Sequence, residues 1–165
     1  MSYSAALQAE ALDVSNLGPT ANVDKFRGTY NLLLAHWFPS SRGYITGIHP
    51  LAPGGKSSSL MVRHGHPGLN PILILVMKSP SKWTAAGRQT VMDELAGQIK
   101  RGFDHTQRNT IYGLGAIGLH WMVCKMSSKD DQPILVLDWQ DEIISDASYS
   151  KFEAVADLVY NLASE

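Results

Sequence analysis

The sequence predicts a single α/β domain whose mixed β-sheet is flanked by helices. The first observation is a run of strand length, residues 71–78, that is apolar at every position before its last residue. A run without a polar side has no solvent face, so it predicts a central strand buried on both faces. The second observation is that two strand-like segments precede this run. The third is that a long helical segment and then further strand-like segments follow it, an order that predicts a meander, a crossover helix and a mixed sheet.

Composition limits the class of protein. The chain has 165 residues, of which 44% are hydrophobic and 18% are charged, and this suits one globular domain with one core. The formal net charge of −1 gives no general attraction to nucleic acid or to anionic membranes, so any basic surface is local. A single cysteine excludes a disulfide framework and a zinc site made of thiolates.

The N-terminal sequence predicts an intracellular protein, either cytoplasmic or nuclear. Residues 1–13 have neither the basic start nor the apolar segment of a signal peptide. No apolar run approaches the length of about 18 residues that a membrane span needs, so we expect no membrane partner. The sequence does not indicate an oligomeric state.

The first part of the chain, residues 1–21, predicts a helical extension that precedes a core of residues 22–139. An Ala-rich segment, residues 4–13, predicts a short helix, and the Gly and Pro that come next predict a loop. The clearest helical period covers residues 23–37, with Asn22 as its N-cap and a proline after its end.

Three strand-like segments come next in close succession, over residues 43–51, 57–63 and 71–78. Two loops separate them, at residues 52–56 and 64–70, and both contain Gly and Pro. Short connections of this kind predict an antiparallel meander whose third strand is the central one.

A long helix over residues 81–105 is predicted after the meander, with Ser79 as its cap and Pro80 in its first turn. Three more strands, over residues 109–115, 118–126 and 133–139, are predicted after this helix. A closing helix over residues 148–163 completes the predicted fold. It contains Ser150 and Glu153, which have the spacing of a capping box.

Lys78 is the one charge that the central run carries. One interpretation is that Lys78 marks the point where the strand leaves the core, with its stem packed and its ammonium group in water. The other is that the strand holds this charge at a functional site. The residues that follow Lys78 bear on the choice between these two interpretations.

Those residues form a pattern: Lys78, Pro80, Arg88, Gln98 and Tyr112-Gly113…Gly115…Gly118. Together with the order of elements, this pattern resembles the PD-(D/E)XK nuclease-like superfamily, in the form common in fungal proteins. The resemblance covers residues 23–126 and implies a restriction-endonuclease-like fold.

The resemblance also implies a hydrolytic metal site of two carboxylates and a lysine. The metal, Mg²⁺ or Mn²⁺, would polarise a phosphoryl group and activate water. Because residues i and i+2 of a strand share a face, an acid at position 76 would lie beside Lys78. This sequence has Val76 there, and Ser59 where the second acid is expected. We therefore predict no metal-binding residue, and no cofactor unless the protein is an active enzyme.

Three functions stay open. The first is a degenerate nuclease-like fold that binds an anionic or polynucleotide ligand around Lys78 and Arg88 without catalysis. The second is an active metal-dependent phosphodiesterase in which Glu94, one helical turn from Gln98, replaces a lost acid. The third is a protein–protein interaction module that keeps only the scaffold, and a chance resemblance on another α/β fold is a further alternative. The candidate residues are catalytic Lys78, Glu94 and Gln98, and binding Arg88, Ser59, Arg63 and Tyr112.

Arg88 itself has two interpretations. It lies on the apolar stripe of the long helix at the end nearest Lys78, where a guanidinium group indicates an anion pocket. Alternatively, its side chain extends to the helix edge and places its charge in solvent.

Other motifs give weaker signals. His64-Gly65-His66, with His49 one strand earlier, has donors for zinc or copper but is more typical of a solvated loop. The glycines of residues 113–118 match Gly-x-Gly-x-x-Gly, but a strand rather than a helix follows them. They predict a bend between strands and not a nucleotide loop. Cys124 stands in a strand and predicts an inert buried thiol.

Overall fold

The computed structural model describes residues 2–48, 58–65 and 70–165. The described residues form four helices and six strands, joined by short 3₁₀ turns at residues 23–25, 40–42, 80–82 and 103–105. Within these residues, no helix combines the length and the apolar character that a membrane span requires. The elements are α1 Ala5–Ser15, α2 Phe26–Trp37, β1 Tyr44–Ile48, β2 Ser58–His64, β3 Asn70–Lys78, α3 Ala85–Gly102, β4 Ile111–Ile117, β5 His120–Met126, β6 Ile134–Gln140 and α4 Asp146–Ala163.

The strands form one sheet in the order β1-β2-β3-β4-β5-β6. All neighbouring strands are antiparallel except β3 and β4, which are parallel and are joined by α3. A parallel pair needs a long crossover, and a helix supplies it. The structure therefore confirms the predicted α/β class, with a mixed sheet flanked by helices.

Side chains of β3 alternate between two apolar layers. Leu73, Leu75 and Met77 pack with residues of α1, α2 and α4, on what we call the three-helix face. Ile74 and Val76 pack with residues of α3, on what we call the α3 face. Successive residues of a strand point to opposite faces, so a strand buried on both sides must be apolar throughout.

The three-helix face is rich in aromatic side chains that are also hydrogen-bonded. The Tyr30 hydroxyl donates to the Gly118 carbonyl at 2.7 Å, and the Trp121 indole donates to Ser148 Oγ at 3.1 Å. Phe152 stacks on Trp37, with ring centroids 5.8 Å apart. These bonds satisfy polar groups that would otherwise be costly to bury.

The α1 helix belongs to this same layer, since its Leu7 and Val14 are buried in the three-helix cluster. Its N-cap is Ser4, whose Oγ accepts from the Leu7 backbone N–H. The predicted N-terminal extension is helical over Ala5–Ser15 and packs on the core.

On the α3 face, glycines of β4 allow close approach of the helix. A Cβ added at Gly115 would lie 2.7 Å from Val91 Cγ1 and 2.8 Å from Met122 Sδ. A Cβ at Gly113 would lie 2.8 Å from Cys124 Sγ. The glycines predicted to form a bend are thus mostly strand residues, because β4 continues to Ile117. The turn falls only at Gly118, whose φ is +59°.

The starts of the two longest helices differ from prediction. Residues 80–82 form a separate 3₁₀ turn, and α3 begins at Ala85 behind Thr84, whose Oγ1 accepts from the Gly87 N–H at 3.0 Å. The predicted cap, Ser79, instead hydrogen-bonds the Ser81 hydroxyl. A cap must stand where the helix actually begins, and the extra turn moves that point along the chain.

The closing helix begins two residues earlier than predicted. Ser145 is its N-cap and accepts from the Ser148 N–H at 3.1 Å. Ser150 and Glu153, the predicted capping pair, lie inside α4, where the backbone N–H groups already have helical partners.

Candidate functional site

Lys78 lies at the C-terminal end of β3 and its side chain turns toward α3. The residue is only 7% exposed. Its Nζ donates to Glu94 Oε1 at 2.9 Å, and Glu94 is on the middle of α3. Lys78 therefore does not simply extend into solvent, because its ammonium group is bound to a carboxylate beside the sheet.

A cavity of about 800 Å³ opens beside this ion pair. Three parts of the chain line it: residues 20–23 before α2, the end of β3 at Lys78 and Ser79, and the start of α3 with the turn before it, including Lys82. The cavity lies where a parallel strand delivers the chain into its crossover helix. Ligands of α/β proteins commonly bind at this end of a strand.

The charges that line the cavity are unequal. Lys78 and Lys82 are the two cations among its described lining residues, and Glu94 is the one carboxylate. The first turn of α3 also lines the cavity, and the N-terminal end of a helix carries partial positive charge. Thr20, Asn22 and Ser79 add neutral hydrogen-bonding groups. The described lining residues thus carry one more positive than negative side chain.

Ser59 and Val76 stand where the two acids of a hydrolytic metal site are expected. They are paired directly across β2 and β3, two residues before Lys78, and both are buried under α3. The structure thus brings Ser59, Val76 and Lys78 together at one end of the sheet. No group of three or more His, Cys, Asp or Glu able to hold a metal ion occurs among residues 2–48, 58–65 and 70–165.

The other two candidate catalytic residues, Glu94 and Gln98, are one turn apart on α3. Glu94 reaches Lys78, as described above, whereas Gln98 is buried deeper along the helix. The Gln98 Oε1 atom has no hydrogen-bond partner in the described part of the chain. Of this pair, only Glu94 lines the cavity.

Arg88 takes a different direction from the one expected for an anion pocket. Its guanidinium carbon lies over the Trp83 ring, 4.8 Å from the centroid, and Trp83 stacks on His120 at 3.8 Å. The described cavity lining contains Lys82 but not Arg88. The expected Lys78–Arg88 pair is therefore replaced by Lys78 and Lys82, because the cation–π contact turns the Arg88 side chain aside.

Two candidate binding residues lie away from Lys78. Arg63 pairs with Pro71 at the start of β3, at the opposite end of the sheet. Tyr112 pairs with Leu73 and is buried on the three-helix face, where desolvation raises the pKa of its hydroxyl. Strand direction and side-chain alternation separate both residues from the cavity, so neither can act on a ligand bound at Lys78.

The structure describes part of the histidine motif and the surroundings of Cys124 that bear on its reactivity. His64 packs against Tyr44, with ring centroids 4.5 Å apart, whereas His49 and His66 lie outside the described residues. Cys124 is buried beneath α3, and this burial raises the pKa of its thiol to about 12. A thiol that resists ionisation is a poor nucleophile, as predicted from its place in a strand.

Lys82 and residues 20–23 also line the cavity, although the sequence pattern did not predict a role for them. A local signal for Lys82 does exist. The segment Lys78-Ser-Pro-Ser-Lys82 places two cations four residues apart at the end of a central strand. No comparable signal marks residues 20–23, because only tertiary packing brings the start of α2 to this end of β3.

The chain matches no protein-family profile, no curated protein and no solved structure. The resemblance to the nuclease-like superfamily therefore stays a prediction from the residues that carry it.

Proposed function

We propose that this protein is a nuclease-like scaffold that has lost its hydrolytic metal site and binds a phosphate-bearing anion in the cavity at Lys78. The observation that carries the proposal is a lysine only 7% exposed at the wall of an 800 Å³ cavity, with Ser59 and Val76 in place of carboxylates. Burying an ammonium group is costly, so a chain that keeps one beside an open cavity has a use for its charge.

The cavity supports a ligand that is small, or a short part of a polynucleotide. Its volume falls within the range of about 300–1,000 Å³ that is typical of small-molecule sites. Lys78 and Lys82 offer charge for phosphate oxygens, and the start of α3 adds its dipole. Glu94 holds Lys78 in place and would exchange part of that contact for the ligand.

Binding is tested by titrating pyrophosphate calorimetrically and a labelled single-stranded oligonucleotide by fluorescence anisotropy, each at two salt concentrations. We expect Lys78→Met to weaken pyrophosphate binding by about tenfold or more, the loss of one charge-assisted contact. The matched control is Lys129→Met, which removes an exposed cation paired with Asp104 outside the cavity. It should change affinity less than about twofold, as exposed ion pairs contribute little.

The proposal fails if neither probe binds at low salt, or if both lysine variants weaken binding equally. Equal losses would indicate general charge attraction and not a site. Tighter binding of the oligonucleotide than of pyrophosphate would extend the ligand from a small anion to a polynucleotide.

A metal-dependent phosphodiesterase is the second candidate, and one observation favours it. The Glu94 carboxylate lies 2.9 Å from Lys78 Nζ, so an acid does stand beside the lysine, on a helix instead of a strand. Cleavage of DNA or RNA with Mg²⁺ or Mn²⁺, abolished by both Lys78→Met and Glu94→Gln, would replace the binding function by hydrolysis. If the protein neither binds the two probes nor cleaves nucleic acid, the protein–protein interaction module is the function that remains.

A further inference from the structure

A second basic cluster lies at the opposite end of the sheet, where β1 begins and β2 ends. Tyr44 and His64 are paired there across the two strands, and their rings are 4.5 Å apart. Arg42 stands two residues before Tyr44 in the chain, and its guanidinium carbon lies 3.9 Å from the centroid of the Tyr160 ring. Tyr160 in turn packs on Tyr44, with ring centroids 5.8 Å apart.

Arg108 approaches the same cluster from the loop before β4. Its Nη2 lies 3.6 Å from the position that a Cβ at Gly65 would take, and Gly65 directly follows His64. His64 Nε2 lies 3.4 Å from the corresponding position at Gly43, directly after Arg42. Both contacts lie at the end of the sheet where Tyr44 pairs with His64.

Hydrogen bonding in this cluster is incomplete. Arg108 Nη1 donates to the Leu162 carbonyl, which holds the guanidinium group in place. Its Nε and the Nδ1 atom of His64 are buried and have no partner among residues 2–48, 58–65 and 70–165. Buried groups of this kind are normally satisfied by protein, water or a ligand.

The charges of the cluster are also uncompensated at close range. In the described part of the chain, no carboxylate oxygen lies within the 4.0 Å of an ion pair from Arg42 or Arg108. Burial raises the pKa of the Tyr44 hydroxyl, and the charges of Arg42 and Arg108 both oppose that rise. Both guanidinium groups therefore lie near enough to influence the same hydroxyl. Asp157 acts on Tyr160 from the α4 side, as a smaller influence than burial or Arg42.

We propose that Arg42, His64 and Arg108 form a binding site for a phosphate group, separate from the cavity at Lys78. Two guanidinium groups present planar sets of N–H donors that match phosphate oxygens. The imidazole of His64 packs against the Tyr44 ring in the same cluster. The phosphate is either free or carried as a monoester on an organic group, and the surrounding rings would pack against such a group.

The test is a titration of ¹⁵N-labelled protein with inorganic phosphate at constant ionic strength, followed by NMR, with chloride as the reference anion. We expect saturable shifts at Tyr44, His64 and Gly65. Arg42→Gln should weaken binding by about tenfold or more, because it removes one charged fork from the site. Arg42 is exposed, so this variant should fold normally.

Arg108→Gln should weaken binding to a similar extent. Its folding is checked by thermal unfolding, because Arg108 also bonds the end of α4. The matched control is Arg101→Gln, an exposed arginine in the last turn of α3, which should leave affinity within about twofold. The backbone shifts of Thr84 and Gly87 report the cavity at Lys78 separately. A loss of the shifts at Tyr44, His64 and Gly65 alone is therefore distinguishable from failure at the cavity.

A parallel titration with phenyl phosphate identifies the source of the phosphate. Tighter binding than that of inorganic phosphate would indicate a monoester whose organic group packs on the rings. Equal binding would indicate free phosphate. Unsaturable shifts, or equal losses in Arg42→Gln and Arg101→Gln, would overturn the site.

Discussion

On one face of the sheet three helices bury a layer of aromatic side chains, whereas on the other face a single helix crosses a strand that carries glycines. The residues expected at a hydrolytic site, Ser59, Lys78, Glu94 and Gln98, all lie on the second face. A single helix seals only the middle of the sheet and leaves the strand end at Lys78 open to a cavity. The comparison shows that the cavity at Lys78 opens on the face that one helix covers, whereas three helices pack over the other face.

The largest expected effect is on the three-helix face. Phe152 is fully buried between Trp37 and Trp121. Phe152→Ala should lower the free energy of unfolding by about 3–5 kcal/mol, because it leaves a large cavity in a rigid aromatic layer. Urea unfolding measures the change. The control is Leu158→Ala on the same helix. Its side chain is exposed, so the loss in the free energy of unfolding should be about 0.5 kcal/mol.

The next effect tests the close approach of α3. Gly115→Ala puts a methyl group 2.7 Å from Val91 Cγ1, so it should destabilise the protein by about 1–3 kcal/mol through overpacking. Gly97, on α3 itself, has no atom within 4 Å of an added Cβ. Gly97→Ala should therefore stabilise by about 0.5–1 kcal/mol through helix propensity. Chemical unfolding of both variants decides whether the α3 face is as tight as the geometry indicates, and equal effects would contradict it.

An effect of similar size distinguishes the two members of the Lys78–Glu94 ion pair. Glu94→Gln removes the carboxylate 2.9 Å from a nearly buried ammonium group and should cost about 1–3 kcal/mol. Lys78→Met leaves Glu94, which is 34% exposed on its side chain and keeps contact with water, and should be neutral or stabilising. Thermal and urea unfolding measure both. A Lys78→Met variant less stable than Glu94→Gln would mean that the lysine is kept for stability and not for a ligand.

The smallest effect on stability at neutral pH comes from two buried groups that can ionise, one in each apolar layer. Burial raises the pKa of Cys124 on the α3 face to about 12 from 9.0, and that of Tyr3 on the three-helix face to about 12 from 10.0. The unfolded chain loses these protons first, so their stabilising contribution is complete below about pH 9 and is lost as pH rises toward 12. Urea midpoints from pH 7 to 11 should fall accordingly.

The variants Cys124→Ala and Tyr3→Phe should each reduce that alkaline fall, one for each face. The native Cys124 thiol should also resist a thiol reagent that reacts with it in urea. If the fall of the urea midpoint with pH is the same in both variants as in the parent protein, burial does not hinder ionisation of Cys124 or Tyr3.

Part of the fold could be predicted because local chemistry alone imposes it. The central place of β3 follows from a run with no polar side, and the helix before β1 follows from its 3.6-residue period. Helix starts were less predictable, since Thr84 and Ser145 are caps only because packing begins the helices there. The prediction of a bend at the β4 glycines was wrong at Gly113 and Gly115 for a related reason. Their small size allows close contact with α3, which is a tertiary contact.

At the candidate site, residue types alone put Lys78 at the end of β3 and leave Ser59 and Val76 without a carboxylate. Which side chains meet Lys78 depends on the packing of distant elements. The crossing of α3 over the β4 glycines brings Glu94 to Lys78, while a contact with Trp83 turns Arg88 away. Residue type and period are local properties of the chain, whereas the contacts of a charged side chain depend on how distant elements pack.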